Sequence, residues 1–221
     1  MPLLRHDILI PEAELGIWEI DEPEHWFMEE LLLYPLELRQ LGELKGRRRT
    51  EWLAARQLVH KMSGRVKRAA FVKDEHGKPR LEGSDWHISI SHSHGLAAAI
   101  AAPVLCGIDI QFMVPKITRL AHKFLCPLEA ASIRPEYQLD QLHFYWGAKE
   151  ALYKAHGRRQ LDFIDHIKVE PFVYEAVKGQ TTGKVVKDDE ELDFDVFYER
   201  SEEGYMLVWV MAIGETYPIN S

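Results

Sequence analysis

The chain has 221 residues, of which 46% are hydrophobic and 10% aromatic. This composition supports a sizeable core and excludes a disordered chain. No stretch approaches the roughly 20 apolar residues of a membrane-spanning helix, and the first residues lack the pattern of a signal peptide. Cys106 and Cys126 have neither metal-ligand nor redox spacing around them. We therefore expect a cytoplasmic protein with two ordinary thiols and no membrane contact.

The net charge of −8 argues against bulk nucleic-acid binding, but the charges are unevenly distributed. Residues 39–80 carry 13 Lys and Arg against 4 Asp and Glu, a local charge of +9, and the rest of the chain carries −17. Such a basic segment is typical of a surface for an anionic partner. Simple solvation of a helix face is the alternative.

The first part of the chain predicts one edge strand and two helices. The strand lies at residues 8–10 or 15–18, and an amphipathic helix follows around residues 24–33. A second helix is predicted for residues 47–62, because the Ser-Gly pair that follows suits a helix C-terminus. Its apolar stripe comprises Leu53, Leu58, Val59 and Met62.

The middle of the chain predicts three strands joined by turns. Residues 76–79, His-Gly-Lys-Pro, form a turn signal. Residues 86–91 alternate between apolar and polar side chains, residues 96–102 are continuously apolar, and residues 106–111 alternate again. We interpret all three as strands of antiparallel sheets.

The last of these strands carries a first candidate site. Its alternation turns Ile108 and Ile110 toward the core, and Asp109 with Gln111 toward the opposite, exposed face. Two such positions lie roughly 6.5–7 Å apart along a strand. Both can therefore reach one cation, and magnesium favours one or two carboxylates. A plain surface carboxylate is the alternative.

The second half predicts one long helix and a β-rich tail. The helix covers residues 141–155 and ends at Gly157. Strands are predicted at residues 163–169, 194–198 and 205–212. Because helices and antiparallel strands recur in both halves, we expect an α+β protein of two similar lobes, divided near residues 103–107.

The long helix carries a second candidate site. Glu150 and Lys154 are four residues apart, so they share one face of the helix. Glu150 suits a metal ligand or general base, and Lys154 suits a contact to phosphate oxygens. An ordinary salt bridge between them is the alternative.

A third polar cluster, residues 90–95, follows directly on a strand. His92 and His94 suggest zinc, but no further Cys or His falls at supporting spacing. Serine hydroxyls and turn amides around Ser91 and His92 favour phosphate binding instead. A structural histidine in a turn is the alternative.

Four short motifs occur in one order along the chain. They are Gly77-Lys78-Pro79, Ile90-Ser91-His92-Ser93, Gly107-Ile108-Asp109-Ile110, and the helix from Trp146 through Lys149-Glu150-Ala151 to Lys154 and Gly157. In this order and spacing they resemble the 4′-phosphopantetheinyl transferase superfamily, specifically its two-lobed, surfactin-synthetase-activating type. The resemblance covers residues 45–160 well, and the two ends by length and strand content only.

The resemblance implies two similar α/β lobes that form a pseudo-dimer, with the active site between them. Residues 1–104 would form the N-terminal lobe, with the phosphate and nucleotide contacts to coenzyme A, and residues 105–221 the C-terminal lobe, with the magnesium site and catalytic helix. The implied reaction moves 4′-phosphopantetheine from coenzyme A to a serine of an apo acyl or peptidyl carrier protein, releasing adenosine 3′,5′-bisphosphate. The enzyme would be a magnesium-dependent monomer that binds an acidic carrier surface.

The resemblance also assigns residue roles. Asp109 and Glu150 would bind magnesium, Glu150 would activate the carrier serine, and Lys154 would contact the pyrophosphate of coenzyme A. The other contacts to coenzyme A would come from Arg49, Arg56, Lys78, Ser91 and His92.

Two departures from the family pattern bear on the site. The family often has a third acid where this chain has Gln111. An amide oxygen can still coordinate magnesium, directly or through water, but it adds no charge, so weaker metal affinity is expected. The asparagine common three residues before the Ser-His pair corresponds here to Ile88 or, with a strand offset, to His87.

Two other functions stay open. A carrier-protein or coenzyme A-binding module that has lost catalysis, with Gln111 as the trace of that loss, predicts binding without magnesium-dependent turnover. A nucleic-acid-binding protein would use residues 39–80, but it leaves Asp109 and Glu150 unexplained. A phosphate loop of the Walker or kinase kind is absent from the sequence.

Overall fold

The structure is a computed structural model that describes residues 3–9, 12–158 and 160–214. It divides into two compact units, Met1–Pro103 and Val104–Ser221. Each unit contains an antiparallel sheet and helices, which confirms the predicted α+β class. Among the described helices, none combines the length and apolar character needed to cross a membrane.

The described residues of the first unit form a six-stranded sheet and three helices. Its strands follow the order β1-β2-β6-β5-β4-β3, and all neighbours are antiparallel. The strands are β1 (Leu3–Leu9), β2 (Ala13–Glu19), β3 (Phe71–Lys73), β4 (Pro79–Leu81), β5 (His87–Ser93) and β6 (Leu96–Ala102). The helices are α1 (Glu24–Leu31), α2 (Pro35–Glu43) and α3 (Arg47–Met62).

Helix α3 covers the first sheet and matches the predicted bounds. All four residues of its predicted apolar stripe are buried. The helix packs closely on β2 because Gly16 has no side chain, since a Cβ there would lie 2.7 Å from Met62 Sδ and 2.8 Å from Leu58 Cδ1. The two alternative edge strands are both present as the β1–β2 hairpin, while Ile10 lies outside the described residues.

The second unit is a five-stranded antiparallel sheet in the order β7-β11-β10-β9-β8. Its strands are β7 (Cys106–Phe112), β8 (Ile167–Val169), β9 (Lys178–Lys187), β10 (Glu190–Arg200) and β11 (Tyr205–Ala212). Its helices are the short α4 (Pro127–Ala131) and the long α5 (Gln138–His156).

Helix α5 packs on this sheet and ends at Gly157, as predicted, in a left-handed conformation with φ +76°. Its buried face joins the aromatic side chains of the core. The predicted strand 163–169 is shorter than expected, because Asp162 Oδ1 accepts hydrogen bonds from the N–H groups of Ile164 and Asp165 at 2.7 and 2.9 Å. Because of this turn, the strand begins only at Ile167.

Candidate active site

Asp109 lies on the face of β7 that α5 covers. Lys154, in the last turn of α5, donates hydrogen bonds to Asp109 Oδ1 at 2.8 Å and to the Ile108 carbonyl at 2.9 Å. Asp109 is only 7% exposed, so the predicted exposed face is wrong. The physical reason is Gly107, where a Cβ would lie 1.9 Å from the Ala151 carbonyl oxygen, so glycine lets the helix pack directly on the strand.

Glu150 lies one helical turn before Lys154 and is half-buried. Burial raises its pKa, the negative charge of Asp109 raises it further, and Lys154 opposes both effects. Within the described part of the chain, the Glu150 carboxylate makes no hydrogen bond and no ion pair, because Lys154 pairs with Asp109 instead. The alternative of an ordinary Glu150–Lys154 salt bridge is therefore not what the structure shows.

This pair of carboxylates fits a divalent cation. Asp109 and Glu150 repel one another, and a cation held by both would favour their charged forms. The described residues contain no group of three His, Cys, Asp or Glu side chains placed to hold a metal. Magnesium is commonly held by one or two carboxylates together with waters and substrate oxygens, and Asp109 and Glu150 would supply two.

Gln111 shares the helix-covered face of β7 with Asp109, which confirms that the two side chains point the same way. Its amide nitrogen donates to Asp109 Oδ2 at 3.2 Å and to the His143 carbonyl at 3.1 Å. Its amide oxygen lies 2.7 Å from His143 Nδ1. This oxygen therefore has one partner within the protein, and a contact from it to a metal, which stays a prediction, would use its second lone pair.

His143 received no role from the sequence, yet it is only 2% exposed and contacts Gln111. Burial lowers its pKa, which favours the neutral ring near pH 7. One sequence signal was present, since His143 lies seven residues, or about two helical turns, before Glu150.

In the first unit, the predicted phosphate contacts lie on β5 and in the turn before β4. Ser91 is buried and His92 is exposed, and consecutive strand residues point to opposite faces. His92 Nδ1 lies 3.2 Å from Glu51 Oε2. Lys78 is buried, and its backbone N–H donates to Asp74 Oδ1 at 2.9 Å.

Two arginines predicted to bind coenzyme A are engaged within the first unit. Arg49 Nε and Nη2 donate to the two carboxylate oxygens of Glu24 at 2.8 and 2.6 Å. Arg56 is 4% exposed, with its guanidinium carbon 3.1 Å from the ring centroid of Trp52 and Nε 3.5 Å from Glu37 Oε1. Burial lowers the pKa of Arg56 to about 9. These contacts hold both arginines in place within the first unit, and their contacts to coenzyme A stay a prediction from the sequence.

Sequence reasoning also missed a buried ion pair that involves Lys149, the residue directly before Glu150 on α5. Lys149 and Glu129 are both fully buried, with Nζ 2.8 Å from Oε2. The Lys149 ammonium also donates to two backbone carbonyls at 2.7 and 2.9 Å. The sequence signal for the burial of Lys149 was its position on α5. It lies four residues after the buried Tyr145 and three before the buried Leu152, so it shares their face of the helix.

Comparison with known families agrees with this geometry. Residues 105–205 match the model of the 4′-phosphopantetheinyl transferase superfamily, and residues 39–102 match the model of the 4′-phosphopantetheinyl transferase N-terminal domain. The chain belongs to the 4′-phosphopantetheinyl transferase superfamily. Asp109, Glu150 and Lys154 lie within the first match, and Ser91 and His92 within the second. A search of curated proteins finds no match.

Proposed function

We propose that this transferase moves 4′-phosphopantetheine from coenzyme A to a serine of an apo acyl or peptidyl carrier protein. Membership of the superfamily supports phosphopantetheinyl transfer in general. One observation carries the rest of the proposal: among the described residues, the Glu150 carboxylate has no ion-pair partner, although it lies beside the Asp109–Lys154 pair. A carboxylate held in this way is typical of a catalytic site.

In the proposed reaction, the carrier serine oxygen attacks the phosphorus that bears the pantetheine arm. A new P–O bond forms, the pyrophosphate P–O bond breaks, and adenosine 3′,5′-bisphosphate leaves with the bonding electron pair. The serine proton passes to the Glu150 carboxylate, which acts as the general base.

Lys154 stabilises the negative charge that develops in this step, and Asp109 would act by holding the metal. A magnesium ion held by Asp109 and Glu150 would neutralise charge on the pyrophosphate oxygens. The Lys154 ammonium is fixed by Asp109 Oδ1 and the Ile108 carbonyl, so it is a preorganised positive charge for the leaving group.

We further infer that residues of the first unit bind the remaining phosphate of coenzyme A and the carrier. Lys78, Ser91 and His92 are proposed contacts of coenzyme A, and Arg49 and Arg56, which have partners within the first unit, stay contacts predicted from the sequence alone. An acidic carrier surface suits the exposed side chains of Lys45, Arg47 and Arg48. A monomeric, cytoplasmic enzyme stays a prediction from the sequence.

Product analysis tests this proposal. The protein is incubated with coenzyme A, magnesium and an apo acyl carrier protein, and adenosine 3′,5′-bisphosphate is measured by chromatography. We expect release that needs both the carrier and the metal, and that EDTA and Glu150→Gln abolish. A protein that binds carrier and coenzyme A but releases no product on several carriers would instead be the binding module that has lost catalysis.

A further inference from the structure

Gln111 and His143 form a chain of hydrogen bonds that ends on the Asp109 carboxylate. We propose that these two residues are positioning residues that fix the orientation of Asp109 toward a divalent cation. This inference rests on the proposed function in one respect, the assignment of Asp109 as a metal ligand. Gln111 then acts on the metal through Asp109 and is neither a ligand nor a trace of lost catalysis.

The Gln111 amide determines which nitrogen of His143 carries the proton. Its NH₂ group faces two acceptors, Asp109 Oδ2 and the His143 carbonyl, so its oxygen faces His143 Nδ1, which must donate. Nε2 then accepts from the Val114 N–H at 2.9 Å, with the Val114 carbonyl oxygen 3.2 Å away. In the neutral ring the proton therefore lies on Nδ1. That N–H donates to the Gln111 amide oxygen at 2.7 Å.

The His143 contact in turn fixes the amide of Gln111. With its oxygen on the His143 N–H, the amide NH₂ group faces Asp109 Oδ2 at 3.2 Å and the His143 carbonyl at 3.1 Å. Each oxygen of the Asp109 carboxylate is then bound by a different donor, Oδ1 by Lys154 and Oδ2 by Gln111. A glutamate at position 111 has no donor for Oδ2 and would repel it.

The helix opposite is shaped for this amide. A Cβ on Gly147 of α5 would lie 2.8 Å from the Gln111 amide nitrogen. Glycine at this position therefore leaves the space that the Gln111 side chain occupies. The strand, the helix and the Val114 backbone together hold the chain of hydrogen bonds in one geometry.

Residues that orient a metal ligand typically change metal affinity by about 10–100-fold when they are replaced. The test is Mn²⁺ binding, measured by electron paramagnetic resonance without coenzyme A, for the wild type and three variants. His143→Leu removes the N–H donor, whereas the amide nitrogen of His143→Asn can take the place of Nδ1. His156→Leu is the matched control, because His156 lies on the same helix but contacts Glu190.

We expect His143→Leu to weaken Mn²⁺ binding by about tenfold or more, and His143→Asn to recover most of the affinity. His156→Leu should bind as the wild type does. Equal affinity of His143→Leu and the wild type would overturn the positioning role. So would a His143→Asn variant as weak as His143→Leu, since loss without rescue indicates a packing effect.

Two further arms separate this inference from the proposed function. If the wild type binds Mn²⁺ no better than Asp109→Asn, the proposed metal site fails and the positioning role fails with it. If His143→Leu does not fold, long-range ¹H–¹⁵N NMR spectra of the wild type still report the tautomer. A proton on Nδ1 of His143 supports the chain of hydrogen bonds, and a proton on Nε2 overturns it.

Discussion

The two long helices carry charged side chains that were predicted to bind ligands, yet the structure uses them differently. On α3, Arg49 is held by Glu24, and Arg56 is stacked on Trp52 beside Glu37. On α5, no side chain of opposite charge pairs with Glu150 in the described part of the chain, and its pKa is raised.

This difference shows how to separate structural from functional charges. A charge that is neutralised within its own unit, as Arg49 is by Glu24, contributes to folding, and a ligand must compete with that partner. A half-buried charge without a partner destabilises the fold, so its retention is better explained by function.

Replacing Glu150 by Gln should abolish activity without loss of stability. A general base contributes about 10²–10⁴-fold to the rate, so we expect a loss of at least that size in initial rate. The metal-free thermal midpoint should stay equal or rise, because glutamine removes the repulsion with Asp109. Glu136→Gln, at an exposed position, is the control. Wild-type activity of Glu150→Gln would contradict the role of Glu150 as base.

Replacing Lys149 by Met should destabilise the second unit strongly, because it leaves Glu129 buried without its partner. Breaking such a pair typically costs about 3–5 kcal/mol, which denaturant titration measures. Lys154→Met is the matched control on the same helix, since Lys154 is 27% exposed in its side chain. It should lose transfer activity with a much smaller loss of stability. Equal destabilisation by both variants would contradict the division of roles.

The stability of the first unit should depend on Glu37 at acid pH. Burial alone would raise the pKa of Glu37, but the Arg68 guanidinium and the N–H groups of Tyr34 and Phe71 outweigh burial and lower it. The stabilisation is therefore present above the ordinary value of 4.5 and is lost as the pH falls through the lowered folded value. Below pH 4.5, the free energy of unfolding should fall more steeply in the wild type than in Glu37→Gln. Parallel slopes would contradict this account.

Replacing Arg49 by Met should change folding more than binding. We expect a lower thermal midpoint, because Glu24 loses its partner, and an unchanged KM for coenzyme A. Lys78→Met is the comparison, and it should raise the KM for coenzyme A. A raised KM in Arg49→Met would instead support the phosphate role that the sequence predicted for Arg49.

The smallest expected effect is that of salt on carrier recognition. Lys45, Arg47 and Arg48 are exposed at the start of α3, and exposed charges are screened beyond a distance of about 8 Å at physiological ionic strength. Raising the salt concentration should raise the KM for the carrier more than it lowers kcat. A flat salt profile would count against a role for these residues.

Local sequence patterns predicted much of the fold. The bounds of α3, β6 and β11 agree with prediction because each has a clear apolar pattern with a definite end. Strand β9 was missed because Gly and Lys are frequent in it, and only alternate positions near its end are buried.

The candidate site was harder to predict because its contacts join distant parts of the chain. The sequence indicated that Asp109 and Gln111 share a face, but alternation alone does not show which face a helix covers. The partners of Arg49 and Arg56, Glu24 and Glu37, lie 25 and 19 residues away in the sequence, and no local pattern links them. His143 was missed for the same reason, because the side chain that it contacts, Gln111, lies on β7 and not on α5.

The most direct test of the central claim, that Asp109 and Glu150 form the centre of phosphopantetheine transfer, is intact-mass analysis of an apo acyl carrier protein. The carrier is incubated with coenzyme A, magnesium and either the wild type, Glu150→Gln or Glu136→Gln, and tandem mass spectrometry locates the modification. We predict one added phosphopantetheine group on serine with the wild type and Glu136→Gln, and none with Glu150→Gln or EDTA. The same mass gain with Glu150→Gln would contradict the claim.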